Sequence, residues 1–180
     1  MKVRAVTEHD RDWIRSLLTE SRTAPEVVTR GRLHHADQLP GFIALDADRA
    51  VGLVTYTFEN GDCEIVSLDA LESGKGIGSA LVKAVVDLAC TKRCRRIWLI
   101  TTNDNTGALR FYQKIGFELV TIHRDAIKKS REMKPSIPEK GCDGIPIRDE
   151  IELEIRKKRM PNNRMQRTPR NGAADASRYA

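Results

Sequence analysis

The stretch Leu68-Asp69-Ala70-Leu71-Glu72-Ser73-Gly74-Lys75-Gly76-Ile77-Gly78-Ser79 carries the densest chemical signal in this sequence: a strand-like run passes through a glycine-rich turn into an apolar run at helical spacing. Glycines let the main chain bend with its N–H groups turned inward, and a helix N-terminus adds unpaired donors and about half a positive charge. Such a cradle suits an anion, and phosphate is its natural guest. Two well-known phosphate loops do not fit the spacing. The G-x-x-x-x-G-K-[ST] pattern fails because Lys75 lies between Gly74 and Gly76. In G-x-G-x-x-G the third glycine would fall on Ser79 or Leu81, counted from Gly74 or Gly76, and the preceding strand does not open a βαβ series. A tight turn without a ligand is the alternative reading of the same residues.

The elements around this turn follow from periodicity. Val3–Val6 reads as a short strand, and Thr7 with Asp10 has the form of a capping box, with Asp in place of the usual Glu. A helix should follow, with Trp13, Ile14, Leu17 and Leu18 on one face, and a second, weaker helix is predicted from about Glu26 to Gln38, ended by Pro40-Gly41. The period then changes. Gly41–Leu45, Val51–Phe58 and Asp62–Ala70 read as three antiparallel strands, the last two joined at Asn60-Gly61, a hairpin signal. A helix from Gly76 carries Ile77, Ala80, Leu81, Ala84, Val85 and Leu88; a strand at Arg96–Thr101, a helix at Thr106–Lys114 stopped by Gly116, and a strand at Phe117–Ile122 come next. From His123 to Asp149, Pro135, Pro138, Gly141, Gly144 and Pro146 predict an irregular excursion before a last strand at Glu150–Ile155.

Charge sits mainly at one end. Of 31 Lys and Arg against 25 Asp and Glu, net charge +6, eight basic residues and one acid fall between Arg156 and Ala180, which leaves the first 155 residues near neutral. No phosphate-tracking surface is expected on the folded part, and so no specific nucleic-acid partner. The tail's Pro, Asn, Arg, Gly and Ala cannot bury enough surface to offset ordering entropy. The expected organisation is one domain over 1–155 and a basic, disordered tail over 156–180. No apolar run approaches the roughly 20 residues that span a bilayer, and Met1-Lys2-Val3-Arg4 opens no signal-peptide core, so no membrane partner and a cytoplasmic location are expected. Cys63, Cys90, Cys94 and Cys142 form no C-x-x-C pair, so free thiols are expected and no metal. His34-His35 and the Cys90/Cys94 pair read as surface or packing residues.

Gly74-Lys75-Gly76-Ile77-Gly78-Ser79-Ala80-Leu81 resembles the coenzyme A pyrophosphate loop of the GNAT acetyltransferase superfamily, Gln/Arg-x-x-Gly-x-Gly/Ala, and Asn105 through Phe117 is similar to that family's Asn-x-x-Ala-x-x-Phe-Tyr-x-x-x-Gly-Phe segment. The resemblance covers roughly residues 2–122. It implies an α/β GNAT fold: a mixed, mostly antiparallel central sheet with helices on both faces and a splayed parallel strand pair. Ser73 departs from the pattern, standing where the family prefers Gln or Arg, which removes one side-chain contact to the pyrophosphate.

The resemblance also implies an activity, N-acetyl transfer from acetyl-CoA as cosubstrate to a primary amine by direct attack in a ternary complex. Main-chain groups of Leu68, Asp69 and Ala70 would pair with the pantetheine arm like an added strand. Gly74, Lys75, Gly76, Gly78 and Ser79 would donate to the pyrophosphate, with Asn105, Ala108 and Tyr112 completing the cofactor contacts; for Asn105 a plain N-cap is the alternative. Tyr112 matches the family tyrosine that protonates the departing thiolate, its alternative being a core aromatic. Glu64 occupies a strand position like that of the family's general base, where burial among Cys63, Ile65 and Val66 would raise its pKa, and a solvent-facing glutamate is the alternative. The 123–149 excursion, similar to that of a group of small bacterial GNAT proteins, is expected either to wall the acceptor pocket or to cover the sheet. As a wall it would use Arg131 or Arg148 on an acidic group, or Asp149 and Glu150 on a cation. The acceptor, a small-molecule or peptide amine, stays open, as does assembly into a homodimer. A non-catalytic acyl-CoA-binding sensor on the same fold is the competing function.

Overall fold

Seven strands form one sheet because their apolar residues recur with a period of two or, in the interior, run almost without interruption. The structure is a computed structural model and describes residues 1–21 and 24–156; apart from Arg156, the tail expected over 156–180 lies outside the described residues. The sheet order is β1 (Lys2–Ala5), β4 (Gly41–Asp46), β5 (Arg49–Glu59), β6 (Asp62–Ala70), β7 (Arg96–Thr102), β9 (Glu150–Arg156), β8 (Glu118–His123). Every neighbouring pair is antiparallel except β6 with β7.

Helices cover both faces, each with its own core. On one face α2 (Ile77–Thr91) sinks Ile77, Leu81, Val82, Val85, Val86 and Ala89 against Val54, Tyr56, Ile65, Ile97 and Leu99, with Tyr112 and Phe117 joining from α3 (Thr106–Lys114) and the turn after it. On the other, α1 (Arg11–Glu20) packs Ile14, Leu17 and Leu18 on Ile43, Leu53 and Val66. Each fully buried aliphatic side chain contributes about 1.5–3 kcal/mol. The predicted capping device is present: the Thr7 N–H donates to Asp10 Oδ2 (2.7 Å), and Arg4 clasps both Asp10 oxygens at 2.7 Å, tying β1 to the helix start. Those bonds from Arg4, assisted by Thr7, hold the Asp10 carboxyl well below the usual carboxylate range. No helix among the described residues is long and apolar enough to cross a membrane, and all four cysteines are free thiols.

Two predicted segments take a different form. The helix expected over 26–38 is instead a hairpin, β2 (Glu26–Thr29) with β3 (Arg32–His35). Its β-branched run Val27-Val28-Thr29 favours extension, and Arg30 and Gly31, with φ of 49° and 72°, make the two-residue turn in which both central residues have positive φ. The excursion after β8 is also less irregular than expected, since Ala126–Met133 forms a helix, α4.

One feature of the sheet positions everything that follows. The β6–β7 ladder holds only over Cys63–Ile65 against Ile97–Leu99, and immediately beyond it β6 bulges at Val66: Tyr56 pairs with Ile65 but Thr55 with Ser67. A bulge bends its strand, so the two parallel strands part there. Gly52 keeps β5 close beneath the parted end. A Cβ at Gly52 would lie 2.6 Å from Ile77 Cγ2 and 2.9 Å from the Asp69 carbonyl oxygen. Gly52→Ala should therefore lower stability by about 1–3 kcal/mol in urea unfolding, a cost of overpacking; an unfolding midpoint equal to that of the parent chain would show that the β5–α2 contact is looser than described.

Candidate active site

The segment that leaves the sheet at Ala70 forms the glycine-rich loop expected to cradle an anion. Leu68, Asp69 and Ala70 pair with Val54, Leu53 and Gly52 of β5 on one edge, while their other edge turns toward the gap that opens beside β7. Gly74 and Gly76 then take φ of 76° and 74°, and a Cβ at either would meet nothing within 4 Å, so the loop is open to solvent on its convex side. Gly76 is the N-cap of α2 and no side chain caps that helix, leaving the first-turn N–H groups of Ile77, Gly78 and Ser79 as donors at its positive end. The Lys75 ammonium pairs with Glu72, which Arg49 also binds, so what Lys75 offers the cradle is its main-chain N–H.

Gly78 explains why three distant segments meet. A Cβ there would lie 3.1 Å from Phe111 Cζ and 3.8 Å from Leu68 Cδ2, so a larger residue would have to push the Phe111 ring aside for the start of α2 to sit as closely against α3. Tyr112 follows Phe111 and is buried, its ring edge-on to Phe111 (5.1 Å between centroids) and Phe117 (5.4 Å). It is thus a core aromatic, yet burial, and after it the nearby Asp69 charge, pushes its phenol above the ordinary range. A tyrosine so perturbed keeps its proton at neutral pH, the form a donor needs. Asn105 caps α3, its Oδ1 accepting from the Ala108 N–H at 3.2 Å, so the capping role holds and both groups are engaged with each other.

Glu64 is 4% exposed, which removes the solvent-facing alternative. The β2–β3 hairpin covers it. Thr29 Oγ1 donates to Glu64 Oε1 at 2.7 Å; His34 Nε2 lies 2.9 Å from that hydroxyl and 3.8 Å from Glu64 Oε2. Because the single Thr29 hydroxyl proton goes to Glu64, its oxygen accepts from His34, which assigns the neutral Nε2–H tautomer. Burial, with Arg32 adding to it, lowers the His34 pKa and keeps the ring uncharged. Burial pushes Glu64 up to about 7, opposed by the Thr29 hydrogen bond and the Arg32 and Arg30 charges and reinforced by Glu59. Of the two histidines expected at the surface or in packing, His35 is exposed and His34 is buried, with its ring bonded to Thr29 beside Glu64. His34 and Thr29 escaped the sequence reading with the hairpin itself; only the register that pairs Val27 with His34 and Thr29 with Arg32 brings the two onto one face.

The excursion walls a cleft but not with the charges expected. Arg131 donates to the carbonyls of Ile137 (3.2 Å), Pro138 (2.7 Å) and Ile147 (2.9 Å), and Arg148 pairs with Asp149 at 2.7 and 2.9 Å, so both guanidinium groups brace the segment. Asp149 further accepts from the Asp125 N–H, and Glu150, 1% exposed, from the Arg30 N–H and Ser130 hydroxyl, so both carboxylates are engaged in holding the segment to the sheet. What faces the cleft, of about 590 Å³, is Ile127, Lys134, Ile137, Pro138 and Ile147 opposite Val27 and Val28, with Thr102, Asp104 and Asn105 at its base.

The model of the acetyltransferase (GNAT) family matches residues 6–117, which include the cradle, Glu64, its hairpin and Tyr112. The chain belongs to the GNAT family. It is 44% identical to YdhI of Bacillus subtilis over 128 residues, 71% of this chain and 80% of that protein, and 40% identical to YxbD of the same organism over 144 residues, 79% and 91% respectively. A Bacillus subtilis acetyltransferase solved in complex with CoA superposes with a TM-score of 0.66 at 20% identity, covering 86% of this chain and 97% of that one, a likeness of fold. The GNAT match stops before β8, so the excursion lies outside the part that the family model describes.

Removing the hydroxyl that holds Glu64 down tests this electrostatic picture directly. Thr29→Val should move the Glu64 midpoint upward from about 7, read by NMR titration of a labelled carboxyl carbon; a midpoint that stays or falls would mean that the Thr29 bond does not favour the ionised form. Stability follows the same sign: the raised pKa stabilises the fold fully below about pH 4.5 and the benefit is lost as pH rises through about 7.

Proposed function

We propose that the chain transfers an acetyl group from acetyl-CoA to a primary amine, by direct attack while both are bound. The observation that carries this reading is the position of the strand gap: it opens at Val66, two residues past Glu64, and the same β6 leads from it into an uncapped helix N-terminus. The residues present suit the cosubstrate. Open glycines with positive φ and free first-turn donors fit a diphosphate, and the unshared edge of Leu68–Ala70 fits an extended arm bearing amides. When bound, acetyl-CoA supplies an activated acyl group on a thiol that can leave.

Each residue then has one task. Glu64, near half ionised at neutral pH, takes a proton from the incoming ammonium, directly or through a water, and leaves a neutral nitrogen to form the new N–C bond. Main-chain N–H groups around Leu68–Ala70 donate to the acyl oxygen as charge gathers on it. As the C–S bond breaks, the Tyr112 hydroxyl gives its proton to the sulfur, and the second proton shed by the acetylated nitrogen passes through solvent to restore the phenol. A sensor without catalysis would have no use for a carboxyl whose burial brings its pKa to the working pH, an arrangement that costs stability.

Calorimetry and thiol-release kinetics test the reading together. Coenzyme A should bind the purified protein, and kcat/KM with an amine acceptor should rise with pH through about 7 as Glu64 loses its proton. Glu64→Gln should lower kcat by about 10²–10⁴-fold with acetyl-CoA affinity retained, and Tyr112→Phe by on the order of 10²-fold. A Glu64→Gln protein that turns over at the parent rate, or a chain that gives no heat with coenzyme A, would reject the assignment.

A further inference from the structure

A cleft beside the hairpin is lined by a lysine with hydrogen-bond donors to spare, and that lysine bears on the class of acceptor. The cleft sits on the Glu64 face of the sheet: Thr102 lies two residue pairs along β7 from Trp98, the partner of Glu64, and Val27 and Val28 belong to the hairpin whose Thr29 holds the carboxyl. At about 590 Å³ it falls within the roughly 300–1,000 Å³ of small-molecule sites. Its walls are mainly aliphatic.

Two ionisable side chains line it. Asp104 is 1% exposed and already accepts from the Thr102 hydroxyl at 2.5 Å and the Cys142 N–H at 2.9 Å, so its two oxygens are engaged within the protein. Lys134 stands at the end of α4, half-buried, with one of its three N–H donors on the Glu26 carbonyl and the others available to the cleft. Of the other carboxylates along this face, Glu152 and Glu154 are paired with Arg96, and Glu150 is engaged by the Arg30 main-chain N–H and the Ser130 hydroxyl.

We propose that the acceptor is an amine that also bears a carboxylate on a compact apolar frame, of the kind an aliphatic or aromatic amino acid presents, with the carboxylate on Lys134 and the frame against Val28, Ile137 and Ile147. The inference rests on the amine acetylation proposed above. An ammonium alone entering beside Lys134 meets repulsion, whereas an acceptor carrying its own anion neutralises the lysine. A polyamine, or a peptide whose carboxyl is an amide, lacks that compensation.

Matched acceptors separate the terms. With acetyl-CoA fixed, kcat/KM is measured for L-leucine against L-leucinamide, L-phenylalanine against L-phenylalaninamide, and spermidine. The acid of each pair should be preferred by about 10- to 100-fold, the worth of one hydrogen-bonded charge. Lys134→Gln should bring the ratio close to one through KM, and Lys134→Arg should keep the preference, which separates loss of charge from loss of fold. Preference for the amides or spermidine in the parent chain, or an undiminished ratio in Lys134→Gln, overturns the proposal while leaving amine acetylation intact. No thiol release with any of the five amines, in a protein that still binds coenzyme A by calorimetry, overturns the catalytic reading and this inference with it.

Discussion

The parallel pairing of β6 with β7 lasts three residues and ends at the Val66 bulge, and the site depends on that ending. Had the ladder continued, the main-chain edge of Leu68–Ala70 would be consumed by β7, and no gap would exist for an extended ligand. Because β6 bends instead, its far end points into the loop that starts α2, and the end of β7 leads into α3. The two helix starts then have to approach from diverging strands. Gly78 makes that approach possible by giving Phe111 the space a side chain would occupy. The open strand edge and the glycine loop that leads from it both follow from one local failure of pairing, and the proposed cosubstrate would span the two.

Electrostatics on the opposite face show why Glu64 differs from its neighbours. Glu154 is as deeply buried as Glu64, and burial alone would raise its pKa, but the bonds from Arg156 and Arg96 outweigh it and hold the carboxyl below its ordinary value. Glu64 is held by a hydroxyl and a neutral imidazole, with Arg30 and Arg32 acting only through space, and burial prevails. A guanidinium fixes a carboxylate in its charged form; a hydroxyl stabilises it less and lets the proton come and go. The Arg30 and Arg96 guanidinium groups lie over Trp98, the partner of Glu64 across the ladder, so the cations are engaged one step away from the carboxyl rather than upon it.

What the residues announced in advance was what depends on near neighbours. A glycine turn into an apolar helix, the Thr7–Asp10 cap and the alternation in β4, β5 and β6 are short-range patterns, and each element formed where it was expected. The Glu26–His35 segment was misread because its apolar residues suit either period, and the deciding feature is the pair of positive φ angles at Arg30-Gly31, which arginine does not advertise. That single misreading hid the partners of Glu64, since Thr29 and His34 reach it from more than a strand away in sequence. The charges at Arg131 and Arg148 were visible, but not that carbonyls and Asp149 would absorb them. Composition displays a charge; only the fold displays its partner.

The excursion is surplus to the sheet. His123 and Glu150 are paired across β8 and β9, so a two-residue turn would join the strands, yet residues 124–149 intervene. Closing a longer loop costs little, about 0.6 kcal/mol for each doubling of length, so the fold tolerates the added chain. Tolerance alone would leave it loose, whereas it is braced at both ends: Arg131 gathers three carbonyls, Asn103 Oδ1 accepts from the N–H groups of Arg148 and Asp149, and Gly141 permits the Cys142 N–H to reach Asp104 by presenting no Cβ, which would lie 1.8 Å from that carboxylate. These braces are largely made to the main chain. The Ile137 and Ile147 side chains take no part in those bonds, and Lys134 gives one N–H to the Glu26 carbonyl and keeps the others, so in the proposed reaction the chemistry of this wall can answer to the acceptor while the glycine loop that starts α2 is built independently of it.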